Sequence, residues 1–533
     1  MTIASNGATA AFAERVRANQ LKLAAGLKPS YDFIVCGSGS SGSVVARRLA
    51  ENPQTSVLLL EAGGSDDVPD ITEAAQWRTN LGSERDWGFQ AQPTASVNGR
   101  SMPMNMGRVL GGGSSINAMY WVRGHKTDWD YFASETADPA WNYESVKNIY
   151  RYVEDWDGEP VGTFRGNGGL VFVSSAHLQP ISTAMCESAR LAGIATFESL
   201  NGPMTEAATG CAPSEYRIRD GKRLSIYRTY VFPYMDQPNL TVLAHAVVSR
   251  LTLRARRVTG VEVAYNGAIY RIEAGREVVL SLGAINTPKV LMQSGIGDQA
   301  ELRRVGIPVV QHLPGVGKNF QDHCGIPGCV WETQGPVAGS GRGETMVFWK
   351  SRSGLDGPDI QIYEGVNFRS ELARLPPSAN SMTMMQALVR PRSRGYLRLT
   401  GPGPQDPLEI HANTLSDPDD LKAMVASIDF SRQIGAAVAL RPFLNREMVS
   451  RGLKGSALED ALRSSVSTMW HQSCTAKMGR DAMSVVDGRL KVYGIDNLRV
   501  ADASVMPRIS TGNTMAPCVV IGERCAAVIK ADC

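Results

Sequence analysis

A short apolar run, Phe33 to Cys36, leads into a glycine turn and then a stretch in which Val44, Val45 and Leu49 fall on one helical face. A second apolar run, Val57 to Leu60, ends on Glu61. This strand–turn–helix–strand order predicts a parallel βαβ unit. Upstream, residues 8–27 are alanine-rich and predict a helix packed on the body or on a partner subunit. Residues 155–225 mix Gly/Pro turns with one helix-like piece, TAMCESARLAG. Residues 240–300 return to strand patterns (LTVLAHAVVSRLTL, VTGVEVAYN, REVVLSLGAI), a hairpin feeding back into the first unit. The segment 326–345, containing GSGRGE, reads as a glycine-rich loop able to act as a lid. Residues 346–413 alternate again (DIQIYEGV, YLRL, LEIHA) and predict an antiparallel sheet, after which DPDDLKAMVASIDFSRQIGAA predicts a helix begun by Asp residues.

The first turn carries chemistry. Gly37, Gly39 and Gly42 form G-x-G-x-x-G, which supplies a tight turn, close backbone approach to a pyrophosphate, and close helix–strand packing. The following helix presents free N–H groups to phosphates. Glu61 lies 19 residues beyond Gly42, near the spacing of a ribose-binding acid. NAD and FAD share this ADP half, so the unit alone does not separate them. A second glycine motif, GRVLGGGSSIN at 107–117, lets backbone approach a planar ligand, and places Ser114 and Ser115 to cap a helix beginning near Asn117.

Composition narrows the class. At 533 residues the chain exceeds one hydrophobic core, so two joined domains are expected. A net charge of +3 gives no reason to expect nucleic acid or an anionic membrane as partner. The arginine clusters Arg254/Arg256/Arg257 and Arg390/Arg392/Arg394 read as solvated strand faces. Nine scattered cysteines with no C-x-x-C pair fit reduced thiols in a cytoplasmic protein, and no His/Cys set has zinc spacing. The N-terminus lacks a secretory h-region, and no apolar run reaches membrane-spanning length.

GRVLGGGSSIN with its continuation AMYWVRGHKTDWD, and GAINTPKVLMQSGIG at 283–297, resemble the two signatures of the glucose-methanol-choline (GMC) oxidoreductases. GVGKNFQDH, PRSRGYLRL, HQSCTAKMG and LRVADASVMP extend the resemblance from about residue 30 to the C-terminus. It implies an α/β fold, in which a Rossmann-like FAD-binding domain joins a substrate domain built on an antiparallel sheet covered by helices. The implied division is an N-terminal helical extension (1–30), FAD-binding parts at 31–155, 226–325 and 466–533, and substrate parts at 156–225 and 326–465. Cofactor positions carried over are Gly37, Gly39, Ser40, Ser41, Gly42, Glu61, Ala62, Arg108, Gly112, Ser115, Asn117, Val248, Asp502, Ala503, Thr514 and Met515. Val248 would meet the adenine through its backbone, and Asp502 would lie near the pyrophosphate and ribitol. Some family members attach flavin to a histidine in the glycine–serine motif; Ile116 stands there, so FAD is expected to be non-covalent.

His471 occupies the family's catalytic-base position, and an imidazole with an ordinary pKa of about 6.5 suits proton acceptance near neutrality. The family reaction is oxidation of a primary alcohol to an aldehyde, with hydride passing to flavin N5. The other histidines, His323 and His125 included, read as structural. Aligning Ala516-Pro517 with the family's A-P puts Met515 at the position of the second catalytic His or Asn, with Asn513 two residues earlier. A thioether offers no donor. Either His471 works almost alone, or Asn513 or another polar group compensates, or the reaction is unusual, as in a hydroxynitrile lyase, a photodecarboxylase or a flavin-binding protein without turnover. Tyr363, Asn367, Trp349 and Met119 are candidates for the pocket wall. The expected partners are a neutral aliphatic or benzylic alcohol and oxygen or a quinone-type acceptor; a homo-oligomer is compatible with the sequence.

Overall fold

Strand Ser30–Cys36 lies at the middle of a seven-stranded sheet, with Val57–Leu60 parallel on one side and Ala268–Leu280 parallel on the other. The computed structural model describes residues 6–159, 162–337, 342–366, 380–449 and 451–532. Leu240–Leu243 adds parallel to Val57–Leu60, and Leu498–Val500 adds parallel to the end of Ala268–Leu280. The other half of that long strand pairs antiparallel with Arg257–Tyr265, which pairs in turn with Val247–Arg254. The four residues of Val57–Leu60 are all buried, as expected of a strand covered on both faces.

Helix Ser40–Ala50 follows the glycine turn and packs against the terminal helix Met515–Asp532. Their close approach depends on Gly522, where a Cβ would lie 2.7 Å from Val44 Cβ and 2.8 Å from the Ser41 carbonyl oxygen. A buried Arg48–Glu523 ion pair at 2.9 Å ties the two helices together. The N-terminal helix, Asn6–Ala25, docks on the same body: Asn19 donates to the carbonyls of Met235 and Gln237, and Gln20 to those of Met235 and Leu240.

A second seven-stranded sheet is antiparallel throughout. Its main order is Leu444–Val449, Cys324–Thr333, Ser381–Leu388, Ile360–Val366, Thr345–Trp349, Gly210–Pro213, and Ser467–Thr468 pairs with the start of Cys324–Thr333. Helices Pro180–Leu191 and Pro418–Gly435 pack against it. Three elements differ from the sequence expectation. YLRL and LEIHA form a separate two-stranded hairpin, Tyr396–Leu399 with Leu408–His411. The expected 326–345 loop begins and ends in strand: residues 326–333 belong to Cys324–Thr333, whose glycines sit among Ile326, Val330 and Trp331, and Thr345 opens Thr345–Trp349; residues 339–341 of the GSGRGE stretch lie outside the described residues. No helix begins at Asn117: the glycine loop closes with the one-turn helix Gly113–Ile116, and Asn117 is its extended C-cap. Ser114 and Ser115 hydroxyls turn back instead, onto the Gly111 and Leu110 carbonyls.

Among the described residues no helix is long and apolar enough to cross a membrane, and no group of His, Cys, Asp or Glu could hold a metal ion.

Candidate active site

One cavity of about 820 Å³ runs from the first glycine turn to the antiparallel sheet. Gly37, Gly39, Ser40, Ser41, Glu61, Ala62, Gly112, Asn117, Asp502, Ala503, Asn513, Thr514, Met515 and His471 all line it, though the sequence separates them by up to 478 positions.

At the turn, the three glycines have distinct environments. Gly37 sits at φ +98° with a hypothetical Cβ 2.3 Å from the Ser281 carbonyl oxygen, and a Cβ on Gly42 would lie 1.9 Å from the Gly37 carbonyl oxygen. Both are demanded by the protein's own packing. A Cβ on Gly39 would meet no protein atom within 4 Å and would project into open space. That gap, beside the uncapped N-terminus of Ser40–Ala50, is a cradle suited to a phosphate. Glu61 accepts from Ser38 N (3.1 Å), Ser38 Oγ (2.7 Å) and Gly63 N (2.9 Å), while burial raises its pKa against those bonds. Asp502 accepts from Gly283 N (3.0 Å), Thr287 Oγ1 (2.6 Å) and Ser504 N (2.8 Å), so it both faces the cavity and ties the start of helix Gly283–Gln293 in place.

Four carried-over positions do not line the cavity. Gly42 packs helix on strand, and the Arg108 guanidinium covers the Trp87 ring at 5.2 Å. Ser115 bonds within its loop, and Val248 lies in the strand Val247–Arg254. Of the wall candidates, Tyr363 and Met119 line the cavity. Trp349 does not: it stacks on Phe430 of the covering helix, ring centroids 4.4 Å apart, because the strand alternation sends it to the other face of the sheet. Asn367 lies outside the described residues.

At the far end, His471 Nε2 stands 3.2 Å from Asn513 Nδ2, and His471 Nδ1 stands 2.9 Å from His323 Nδ1. Asn513, rather than Met515, is therefore the group beside the imidazole. The reason is local. Gly512 turns the chain at φ +86°, Thr511 N is held 2.7 Å from Asp128 Oδ2, and the helix starts only at Met515. The Met515 sulfur meets Asn117 Nδ2 at 3.1 Å instead. Asp128 is pulled to about 2, because the Arg390 and Arg508 guanidiniums outweigh the effect of its burial. Arg390 thus belongs to no solvated strand face; it bonds Asp128 (2.8 Å), Thr127 (2.6 Å) and Thr511 (3.0 Å).

The hydrogen-bond network assigns the proton positions. Gln361 Nε2, a donor only, faces Asn513 Oδ1 at 3.5 Å and the Tyr363 hydroxyl lies 3.2 Å from it, which marks that atom as the acceptor and leaves Nδ2 to donate toward His471 Nε2. An Nε2 that accepts is unprotonated, so the neutral ring carries its hydrogen on Nδ1 and donates to His323. Burial holds the imidazole neutral, lowering its pKa to about 3, and His323 is lowered too, by burial and then by the neighbouring His471. Beneath the pair, Asp322 accepts from His471 N (2.8 Å), Gln472 Nε2 (3.2 Å) and the Thr468 hydroxyl. Burial raises Asp322 to about 7 despite these bonds. Trp470, immediately before His471, is left-handed at φ +60°, a conformation costly for an aromatic residue, and its indole N–H is fastened to Asn105 Oδ1 at 2.9 Å. His323, expected from the sequence to be structural, and Asp322, not singled out there, both contact His471. The signal was their place in the QDH segment; what was lacking was any view of its distance from His471.

The GMC oxidoreductase family matches in two parts, residues 31–325 and 391–522. Mitochondrial choline dehydrogenase of Mus musculus is 35% identical over 94% of this chain and 90% of its own. An oxygen-dependent choline dehydrogenase of Stenotrophomonas maltophilia is 35% identical over 94% and 95%. Among solved structures, pyridoxine 4-oxidase from Mesorbium loti superposes with a TM-score of 0.88 at 29% identity, over 94% of this chain and 99% of that one. A formate oxidase gives 0.87 at 27%, over 94% and 98%.

Proposed function

The chain belongs to the GMC oxidoreductase family, and from that premise we propose that it oxidises a primary alcohol to an aldehyde with FAD, using His471 as the base. The observation that carries this reading is the pair His471 Nε2 and Asn513 Nδ2, 3.2 Å apart on the wall of the cavity that also holds the glycine turn.

The residues fit the cofactor. Gly39 and the start of Ser40–Ala50 suit the pyrophosphate, Glu61 a ribose, and Gly112, Asn117, Thr514 and Met515 the ring system. Arg108, Ser115 and Val248 support it from behind the lining. Non-covalent binding rests on Ile116, which has no nucleophile to offer. Bound FAD supplies the hydride acceptor.

His471 takes the hydroxyl proton on Nε2, and its Nδ1–H stays directed at His323. Asn513 donates to the same oxygen as negative charge grows there, a contribution strengthened by exclusion of water. Asp322 fixes the His471 backbone and so the direction of its ring. Tyr120, Tyr363, Met385 and Met469 give the substrate end an apolar and aromatic character, which supports a neutral aliphatic or benzylic alcohol. The division into three FAD-binding and two substrate parts is supported by the separate strand sets of the two sheets, except that Ser467–Thr468, at the start of the last FAD-binding part, pairs into the antiparallel sheet.

The test is anaerobic bleaching of the flavin by a panel of aliphatic, benzylic, furanic and amino alcohols, choline among them, followed by exposure to air. Bleaching by one class supports the reading and names the substrate; the speed of recovery in air separates oxygen from another acceptor. A yellow protein that no alcohol bleaches overturns it.

A further inference from the structure

Two arginines stand buried behind the cavity wall with no acid to balance them. Arg217 is 0% exposed and Arg223 is 4% exposed, and no acid pairs with either among the described residues. Arg217 precedes and Arg223 ends the tight hairpin of Ile218–Arg219 with Lys222–Arg223. Arg223 donates Nε to the Ile71 carbonyl (2.9 Å) and Nη1 to the Ser114 carbonyl (3.3 Å) and Asn117 Oδ1 (3.0 Å). Arg217 donates to the Leu224 carbonyl. Arg223 Nη2 and Arg217 Nε and Nη2 are buried with no acceptor. Burial pulls both guanidiniums to about 9, Arg223 also through the charges of Arg217 and Arg342, and both remain cationic at neutral pH.

Burying a cation without an anion is costly. A fold that keeps two of them at one wall gains most when negative charge arrives nearby. Asn117 is the link to the cavity. Its Oδ1 is taken by Arg223 Nη1 and by Met119 N, both at 3.0 Å, so its amide N–H groups are turned toward the cavity side, where one meets the Met515 sulfur. A guanidinium on the carbonyl oxygen polarises the amide and makes those N–H groups stronger donors. Met119 itself is held left-handed at φ +65°, between Asn117 Oδ1 on its N–H and Arg217 N on its carbonyl. The strained wall segment and the two cations form one unit.

We propose that Arg223 is a positioning residue that acts through Asn117, with the unpaired charge of Arg217 beside it adding to the effect, to raise the reduction potential of the flavin by stabilising the negative charge that two-electron reduction places on its ring. This inference rests on the FAD reading above. The hairpin that carries both cations does not line the cavity.

The experiment is a spectroelectrochemical titration of the FAD-loaded enzyme, with flavin content read from absorbance, for the native protein and for Arg223→Gln, Arg223→Lys and Arg217→Gln. Arg223→Gln is expected to lower the reduced-to-oxidised ratio at a fixed reference potential at least tenfold, about 30 mV for a two-electron couple. Arg217→Gln is expected to shift it in the same direction by less, and Arg223→Lys, which keeps the charge, to restore most of the ratio. A ratio within twofold of native in flavin-loaded Arg223→Gln overturns the proposal. Should that variant fail to hold flavin, Arg217→Gln decides: an unchanged ratio overturns it and a lowered one supports it. Native protein that holds no flavin would instead sink the cofactor reading, so the two failures are distinct.

Discussion

His323 and His471 meet nitrogen to nitrogen, Nδ1 to Nδ1 at 2.9 Å, with their ring planes 80° apart. Two neutral imidazoles in this contact must share one hydrogen, and the Asn513 bond at the other end puts it on His471. The pair thereby exposes a lone pair at Nε2 on the cavity wall.

His471→Ala should retain FAD and slow anaerobic flavin reduction by about 10²–10⁴-fold, the usual contribution of a general base. Stopped-flow reduction with the best alcohol of the panel measures it. A loss under threefold would remove His471 from the chemistry.

His323→Ala should give a smaller loss than His471→Ala, because the base remains but its tautomer is no longer fixed. With unchanged FAD content and thermal stability, a reduced rate identifies a positioning role; an unchanged rate assigns His323 to packing alone.

Asn513→Ala should slow flavin reduction by about 10²-fold, the effect of removing one donor to a developing oxyanion. Met515→Leu keeps volume and should cost at least ten times less. The reverse order would return Met515 to the partner position suggested by counting along the chain.

Gly39→Ala and Gly42→Ala separate cofactor approach from packing. The Gly42 variant forces a Cβ to 1.9 Å from a backbone oxygen and should melt early with or without FAD. The Gly39 variant has room in the protein, so its apo form should melt like the native apo form while FAD content falls. Equal losses of apo stability in the two would contradict the cradle.

Asp322 gives a pH signature. Between the ordinary carboxylate pKa near 4 and its raised value of about 7, the unfolded chain has released a proton that the fold still holds. This group therefore favours folding at low pH and withdraws that stability as pH rises from about 4 to 7. Asp322→Asn removes the trend, so the melting temperature of the variant relative to native should increase across that range. A constant difference would show that Asp322 titrates normally.

The dinucleotide unit and the glycine cradle were legible because each is local, whereas His471 was placed by the resemblance of its segment to the family. A period-two run, a φ-positive glycine and a helix start are constrained within about thirty contiguous residues, and no distant contact is needed to recognise them. The antiparallel sheet was legible only in part. Strand Ile360–Val366 shows its alternation, whereas Gly210–Pro213 and Leu444–Val449 are short strands recruited from far along the chain. Tertiary structure alone decided the neighbours of His471. His323 reaches His471 across 148 positions, and Asn513 displaces Met515 because the Gly512 turn and the Thr511–Asp128 bond aim the segment before its helix begins. The buried charge of Arg217 and Arg223 was equally hidden, since a sequence shows a cation but not the missing acid. Pattern fixes what a segment can be; only packing in three dimensions decides which side chains share a wall.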